Sequence, residues 1–154
     1  MERLERIIKG DHWIALDINL RKETIHVYDS IMSHSDDKEI NIACRQFSRM
    51  LPQLLNIMVP ENLRKKHNNQ FKVTRKKGVP QNLNPGDCGV FSIKYIECLA
   101  LGCTFDGICD KNVDRLRDRI ASELFAELDE HEKERTDPFP HGKDKDHLIT
   151  ATQI

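Results

Sequence analysis

The chain of 154 residues suits one domain with a moderate core and is short for two. Its content, 38% hydrophobic and 32% charged, is polar for a compact fold, so part of the chain is expected to stay solvated. A formal net charge of −1 gives no general electrostatic case for nucleic acid or a membrane surface, and no run approaches the ~18 apolar residues of a membrane span.

Residues 12–18 alternate so that Ile14, Leu16 and Ile18 share a face, which predicts a half-buried strand, and Ile25 and Val27 do the same in 24–29. The short polar stretch Asn19 to Glu23 joins them as a β-hairpin. Residues 39–58 place Ile40, Ala43, Cys44, Phe47, Met50, Leu51, Leu54, Leu55 and Met58 at helical spacing. This predicts one amphipathic helix, which Pro52 is expected to kink or end. Residues 61–70 read as a polar, basic loop or helix end, 71–74 as a short strand, and 79–86 as a loop that delivers the chain to Cys88. From Cys88 an apolar run predicts a buried helix closed by Gly102. A further helix is expected over 110–128, with Asp110 as its N-cap. After Leu128 the composition turns to charge, His, Pro and Gly, so 129–154 reads as a charged, disordered tail following a domain over 1–128.

Cys88 sits in Gly86-Asp87-Cys88-Gly89, at the start of its helix. The first-turn N–H groups lack intrahelical partners and, with the helix dipole, favour a thiolate. A lone cysteine in such a place is usually just a small buried hydrophobe, so its company decides. Centring the hairpin turn sets Leu16 against Ile25, Ile14 against Val27 and His12 against Asp29, with the last pair on the core-facing side. Opposed Cβ atoms lie roughly 4.5–5.5 Å apart, within reach of an imidazole–carboxylate bond, and an aspartate on an apolar face needs such a partner. With Cys88 these residues make a Cys-His-Asp set, in which Asp29 fixes the imidazole and His12 moves the proton of the thiol.

The segments His12-Trp13, Val27-Tyr28-Asp29-Ser30, Pro80-Gln81 and Gly86-Asp87-Cys88-Gly89-Val90-Phe91, in this order over residues 12–100, resemble the catalytic segments of the ubiquitin-like-protein-specific cysteine proteases, the SUMO-protease or Ulp-type family. Four short motifs in the same order are specific where any one alone would be weak. Gly86 to Gly102 looks most like divergent plant-type members. The resemblance implies a papain-like α+β fold, in which a central helix bearing the nucleophile packs on a small β-sheet with additional helices. It implies Cys88 as nucleophile, His12 as general base and acid, and Asp29 as the orienter of the histidine. Trp13 would pack over the site or line a channel for a Gly-Gly tail, unless it is an ordinary core aromatic. The implied reaction is thiolate attack after the Gly-Gly of a ubiquitin-like modifier or its conjugates, through an acyl-enzyme. No cofactor or metal is implied, and the protein is read as a monomer in the nucleus or cytoplasm.

Two departures bear on that reading. The family places an oxyanion-hole glutamine six residues before the cysteine, where this chain has Asn82, with Gln81 one step earlier. Either amide can donate, and Gln81 is favoured. Only eleven residues precede His12, so the expectation is a catalytic domain shortened at its N-terminus, with Met1 to Gly10 supplying at most one short helix or strand. Two alternatives follow: a remnant that only binds a ubiquitin-like protein, and a same-clan acyltransferase using the same triad.

The five cysteines are odd in number and no secretory segment precedes them, which favours reduced thiols. Cys98, Cys103 and Cys109 lack the spacing of paired zinc knuckles and read as structural. Arg64-Lys65-Lys66-His67 and Arg75-Lys76-Lys77 read as solvated surface able to meet an acidic partner. His26, His34, His131, His141 and His147 lie in polar contexts that suggest no partner.

Overall fold

Ile14, Leu16 and Ile18 build β1 (Trp13–Asn19), and Ile25 and Val27 build β2 (Thr24–Tyr28), as their alternation predicts. The computed structural model describes residues 12–60, 69–84, 86–133 and 147–153. The expectations for Met1 to Gly10, for the basic cluster at 64–67 and for the middle of the tail fall outside these residues. After the hairpin come α1 (Asp37–Ala43), α2 (Arg45–Met58), β3 (Lys72–Arg75), α3 (Cys88–Leu101), a 3₁₀ turn (Asp110–Asn112), α4 (Val113–Lys133) and β4 (His147–Gln153). The strands form one sheet in the order β3-β2-β1-β4, with β3 parallel to β2 and the other pairs antiparallel.

The hairpin register differs from the expected one by two residues: Leu16 faces Val27, and Ile18 faces Ile25. The turn closes later than its composition suggests. Asn19 pairs with Thr24, the Asn19 side chain accepts the Lys22 N–H at 2.7 Å, and Glu23 takes a left-handed φ of 53°. A two-residue slip preserves parity, so His12 and Asp29 still share a face. Continued past Ala15 and Tyr28, this register sets Asp29 beside Ile14, and His12 reaches it along the diagonal.

Both faces of the sheet are covered, so β1 is buried on both sides rather than half-exposed. Ile14, Leu16, Ile18, Ile25 and Val27 pack with Ile40, Cys44 and Phe71, joined by Phe47, Leu51 and Leu55 of α2. Ala15 and Tyr28 face the other way, onto Val90, Phe91 and Tyr95 of α3 and Val113 beyond. A helix that begins at Cys88 packed on a small sheet, with further helices around it, is thus the expected α+β architecture.

The single helix expected over 39–58 is two, broken at Cys44. A capping box at Asp36 and Glu39 starts the first. Pro52 neither ends nor interrupts α2. The carbonyl of Ser48, which a proline four residues on cannot serve, accepts the Phe71 N–H at 2.8 Å instead and so ties α2 to the approach to β3. Asp110 opens the 3₁₀ turn rather than capping a helix, and its side chain accepts the Leu83 N–H at 3.3 Å.

The tail is corrected at both described ends. α4 continues to Lys133, and 147–153 returns as β4 against β1. The run Leu-Ile-Thr-Ala-Thr carries β-branched residues suited to a strand, but only the open side of β1 gives it a ladder. Among the described residues no helix is long and apolar enough to cross a membrane.

Candidate active site

Three chain segments meet where α3 begins. Gly86 enters with φ 99°, a conformation that side-chain-bearing residues rarely adopt, and Asp87 follows at the N-cap without capping the helix through its side chain. The Asp87 carboxylate turns to Arg117 of α4 instead, at 2.6 Å. The first turn of α3 thereby keeps its N–H groups free of a side-chain acceptor, and no carboxylate of a cap competes with a thiolate there.

Cys88 is buried, and its Sγ accepts the Trp13 main-chain N–H at 3.4 Å. The sulfur therefore lies against the start of β1, one residue from His12. The His12 ring is 1% exposed, and its Nε2–H donates to Asp29 Oδ1 at 2.7 Å. With that proton committed to a carboxylate, Nδ1 is the ring atom left for chemistry, and among the described residues it has no hydrogen-bond partner.

Asp29 is fully buried at the end of β2. Its Oδ1 also accepts the Ile31 N–H at 2.8 Å, and its Oδ2 is gripped by Arg75. Burial alone would raise this carboxyl's pKa. The His12 hydrogen bond, the Ile31 N–H and the electrostatic influence of the adjacent His12 and Arg75 side chains outweigh burial and hold it below the ordinary aspartate value of 3.8. The Asp29 charge extends to Tyr95 of α3, whose phenol is raised first by its own burial and then by that carboxylate.

Trp13 is 40% exposed, so it is not an ordinary core aromatic. A methyl group at Gly89 would meet its Cδ1 at 3.8 Å, which sets the indole over the start of α3. The two amides of the upstream loop separate clearly. Gln81 spends its side chain as a staple: Nε2 donates to the carbonyls of Asp29 at 2.9 Å, Val79 at 3.2 Å and Pro80 at 3.3 Å, and Oε1 accepts the Met32 N–H at 2.9 Å. Asn82 is the buried amide; its main-chain N–H donates to Ser30 at 2.8 Å and its Nδ2 to the Asn84 carbonyl at 2.6 Å. The sequence favours Gln81; here its donors are engaged by the Asp29 carbonyl and by its own loop.

Two residues that the sequence set aside belong to this site. Arg75, read as solvated surface, is 6% exposed on Asp29. His34, read as lacking a partner, has its ring centroid 4.6 Å from that of His12. The parity of β3 gave a signal for the first, since Val73 and Arg75 share the less exposed face. No sequence signal pointed to the second. His26 also has company, its Nδ1 lying 3.6 Å from Asp17. Among the described residues no group of three or more His, Cys, Asp or Glu side chains could hold a metal ion. Cys44 and Cys98 are buried; burial pushes the Cys44 thiol up to about 11, and burial together with the Cys103 thiol and the Glu97 charge raises Cys98 to about 11.

Comparison with known proteins matches residues 7–131 to a family described as the Ulp1 protease family, C-terminal catalytic domain. Sentrin-specific protease 5 of Mus musculus, Macaca fascicularis and Homo sapiens is in each case 32% identical over 113 residues, which is 73% of this chain. The matched region is 14% of the length of each of these curated relatives. No solved structure matches the chain.

Proposed function

The chain belongs to the Ulp1 protease family, and on that premise we propose that it is a cysteine peptidase cleaving after the C-terminal Gly-Gly of a ubiquitin-like modifier of the SUMO class. The observation that carries the assignment is the buried 2.7 Å His12–Asp29 bond. It leaves His12 Nδ1 unpartnered among the described residues, beside a strand start whose next N–H holds the Cys88 sulfur.

In the proposed reaction His12 Nδ1 takes the thiol proton, and Cys88 Sγ attacks the glycine carbonyl carbon. The resulting oxyanion collapses, the C–N bond breaks, and His12 returns the proton to the leaving amine. Water, deprotonated by His12, then attacks the thioester and releases the glycine carboxylate and the thiol. Asp29 holds the imidazole in the tautomer that presents Nδ1 and stabilises its protonated form. The oxyanion donors are the N–H groups at the start of α3 and the second Nδ2 hydrogen of Asn82. The burial of Asn82 and the engagement of Gln81 elsewhere favour this choice. Trp13, half-exposed over the start of α3, lines the channel that accepts the Gly-Gly tail. The catalytic unit acts as a monomer on the modifier and its conjugates, inside the cell, where the five free thiols persist.

The test is incubation with a SUMO carrying an electrophile in place of its C-terminal glycine carboxylate, alongside turnover of a SUMO–aminocoumarin. A single adduct at Cys88, lost in Cys88→Ala, is expected under reducing conditions. In the turnover assay Asn82→Ala should lower kcat by roughly 10²–10³. Absence of the adduct refutes the peptidase reading. Binding without an adduct would leave a receptor for the modifier, and labelling of Cys88 by acetyl-coenzyme A would make it an acyltransferase.

A further inference from the structure

Arg75 belongs to an Arg-Lys-Lys run, yet its side chain is only 6% exposed. A buried guanidinium is costly unless its donors are met; here parts of the candidate site meet both Nη groups, while Nε has no hydrogen-bond partner among the described residues. Nη2 bonds Asp29 Oδ2 and donates to the Met32 carbonyl at 3.1 Å. Nη1 donates to the Ser35 carbonyl at 2.9 Å and lies 3.5 Å from the Asp37 carboxylate. One side chain from β3 thus joins the end of β2, the 31–36 loop and the first turn of α1. That loop also carries His34, whose ring lies tilted at 49° against His12.

We propose that Arg75 is a positioning residue of the triad: it fixes the Asp29 carboxylate with Oδ1 toward His12 and anchors the loop that holds His34 against the imidazole. The two oxygens divide the work. Oδ1 takes His12 Nε2 and the Ile31 N–H, while Oδ2 is closed by the guanidinium, so the carboxylate cannot rotate away from the ring. The charge matters as well as the geometry. Among the described residues, the titratable and charged groups placed against the His12–Asp29 pair include Tyr95 of α3, His34 of the loop and Arg75 of β3, with Cys88 on the neighbouring Trp13 N–H and Asp37 of α1 on Arg75. Arg75 is the permanent cation among them, and its charge adds to the His12 and Ile31 hydrogen bonds that hold Asp29 ionised in a site whose burial favours the neutral acid.

The proposal rests on the triad reading, and its test uses the chemistry of Cys88 with no modifier present. Alkylation of Cys88 by chloroacetamide, read by mass spectrometry of the Cys88 peptide across pH, reports directly how readily the Cys88 proton is given up to His12. Arg75→Met is expected to slow alkylation roughly 10-fold and to move the acid limb upward by on the order of 1 pH unit, because an Asp29 without its cation protonates sooner. Arg75→Lys keeps the charge but cannot span Asp29, Met32 and Ser35 together. Its acid limb should stay where it is in the wild-type chain, with a rate about threefold lower. A folded Arg75→Met protein whose acid limb coincides with wild type overturns the proposal. If Arg75→Met shows no cooperative melt, Arg75→Lys decides, and an unchanged rate overturns it. A wild-type chain that alkylates at Cys88 but ignores the SUMO probes refutes the substrate assignment and leaves the Arg75 comparison intact. A wild-type chain with no Cys88 alkylation at any pH overturns both.

Discussion

Asp29 concentrates the electrostatics of this protein, because a fully buried carboxylate faces the Arg75 guanidinium, the His12 ring N–H and a main-chain N–H. Its pKa is lowered on folding, so the group contributes stability above the ordinary value of 3.8 and loses that contribution as pH falls through the folded-state value. Asp29→Asn removes this dependence and leaves Arg75 buried without its counter-charge. At neutral pH it should cost about 3–5 kcal/mol, with the gap to wild type narrowing as pH drops below 3.8. Urea unfolding at a series of pH values measures the gap, and a pH-independent difference would contradict the shared-charge picture. At this scale the residue types His12, Asp29 and Cys88 were legible from parity and helix position. His34 was not, since a lone polar histidine looks alike whether solvated or buried, and Arg75 was signalled only weakly, by its shared parity with Val73 within a basic run.

At the scale of elements, the turn into α3 decides how the cysteine is presented. Gly86 at φ 99° has open space around it, so Gly86→Ala costs through the backbone alone, about 1–3 kcal/mol, and should disturb the Cys88 position. Gly89→Ala, whose new methyl would meet Trp13 at an ordinary 3.8 Å, should be close to neutral in stability. Thermal melts of the two variants separate the effects, and equal losses would show that the turn is not the sensitive point. β1 and β2 followed from sequence because each has its own alternating apolar face, and α3 because its apolar run is long and ends at Gly102. The hairpin register did not, because a left-handed Glu23 and the Asn19 side chain close the turn two residues off the symmetric solution.

Across the whole molecule, β1 is central because β4 closes its second side. Deleting residues 147–154 would bare the β1 ladder and loosen the support of α3, which also touches β4. A Tm lower by several degrees and concentration-dependent self-association in sedimentation are expected from the exposed edge. An unchanged Tm with no association would mean that β4 contributes nothing. Hydrophobic periodicity, a glycine-bracketed cysteine and the shared parity of His12 and Asp29 are local, so the main strands and helices and the three residues of the candidate triad could be read from the chain alone, while the α+β class came from the resemblance to the Ulp-type family. The tertiary structure decided what depends on distant partners: that the chain end returns as a strand, that Gln81 is a staple while Asn82 is the buried amide, and that Arg75 and His34 close around the His12–Asp29 pair. Each of these is a contact between segments far apart in sequence, where local propensity carries no information and only the assembled sheet supplies the partner.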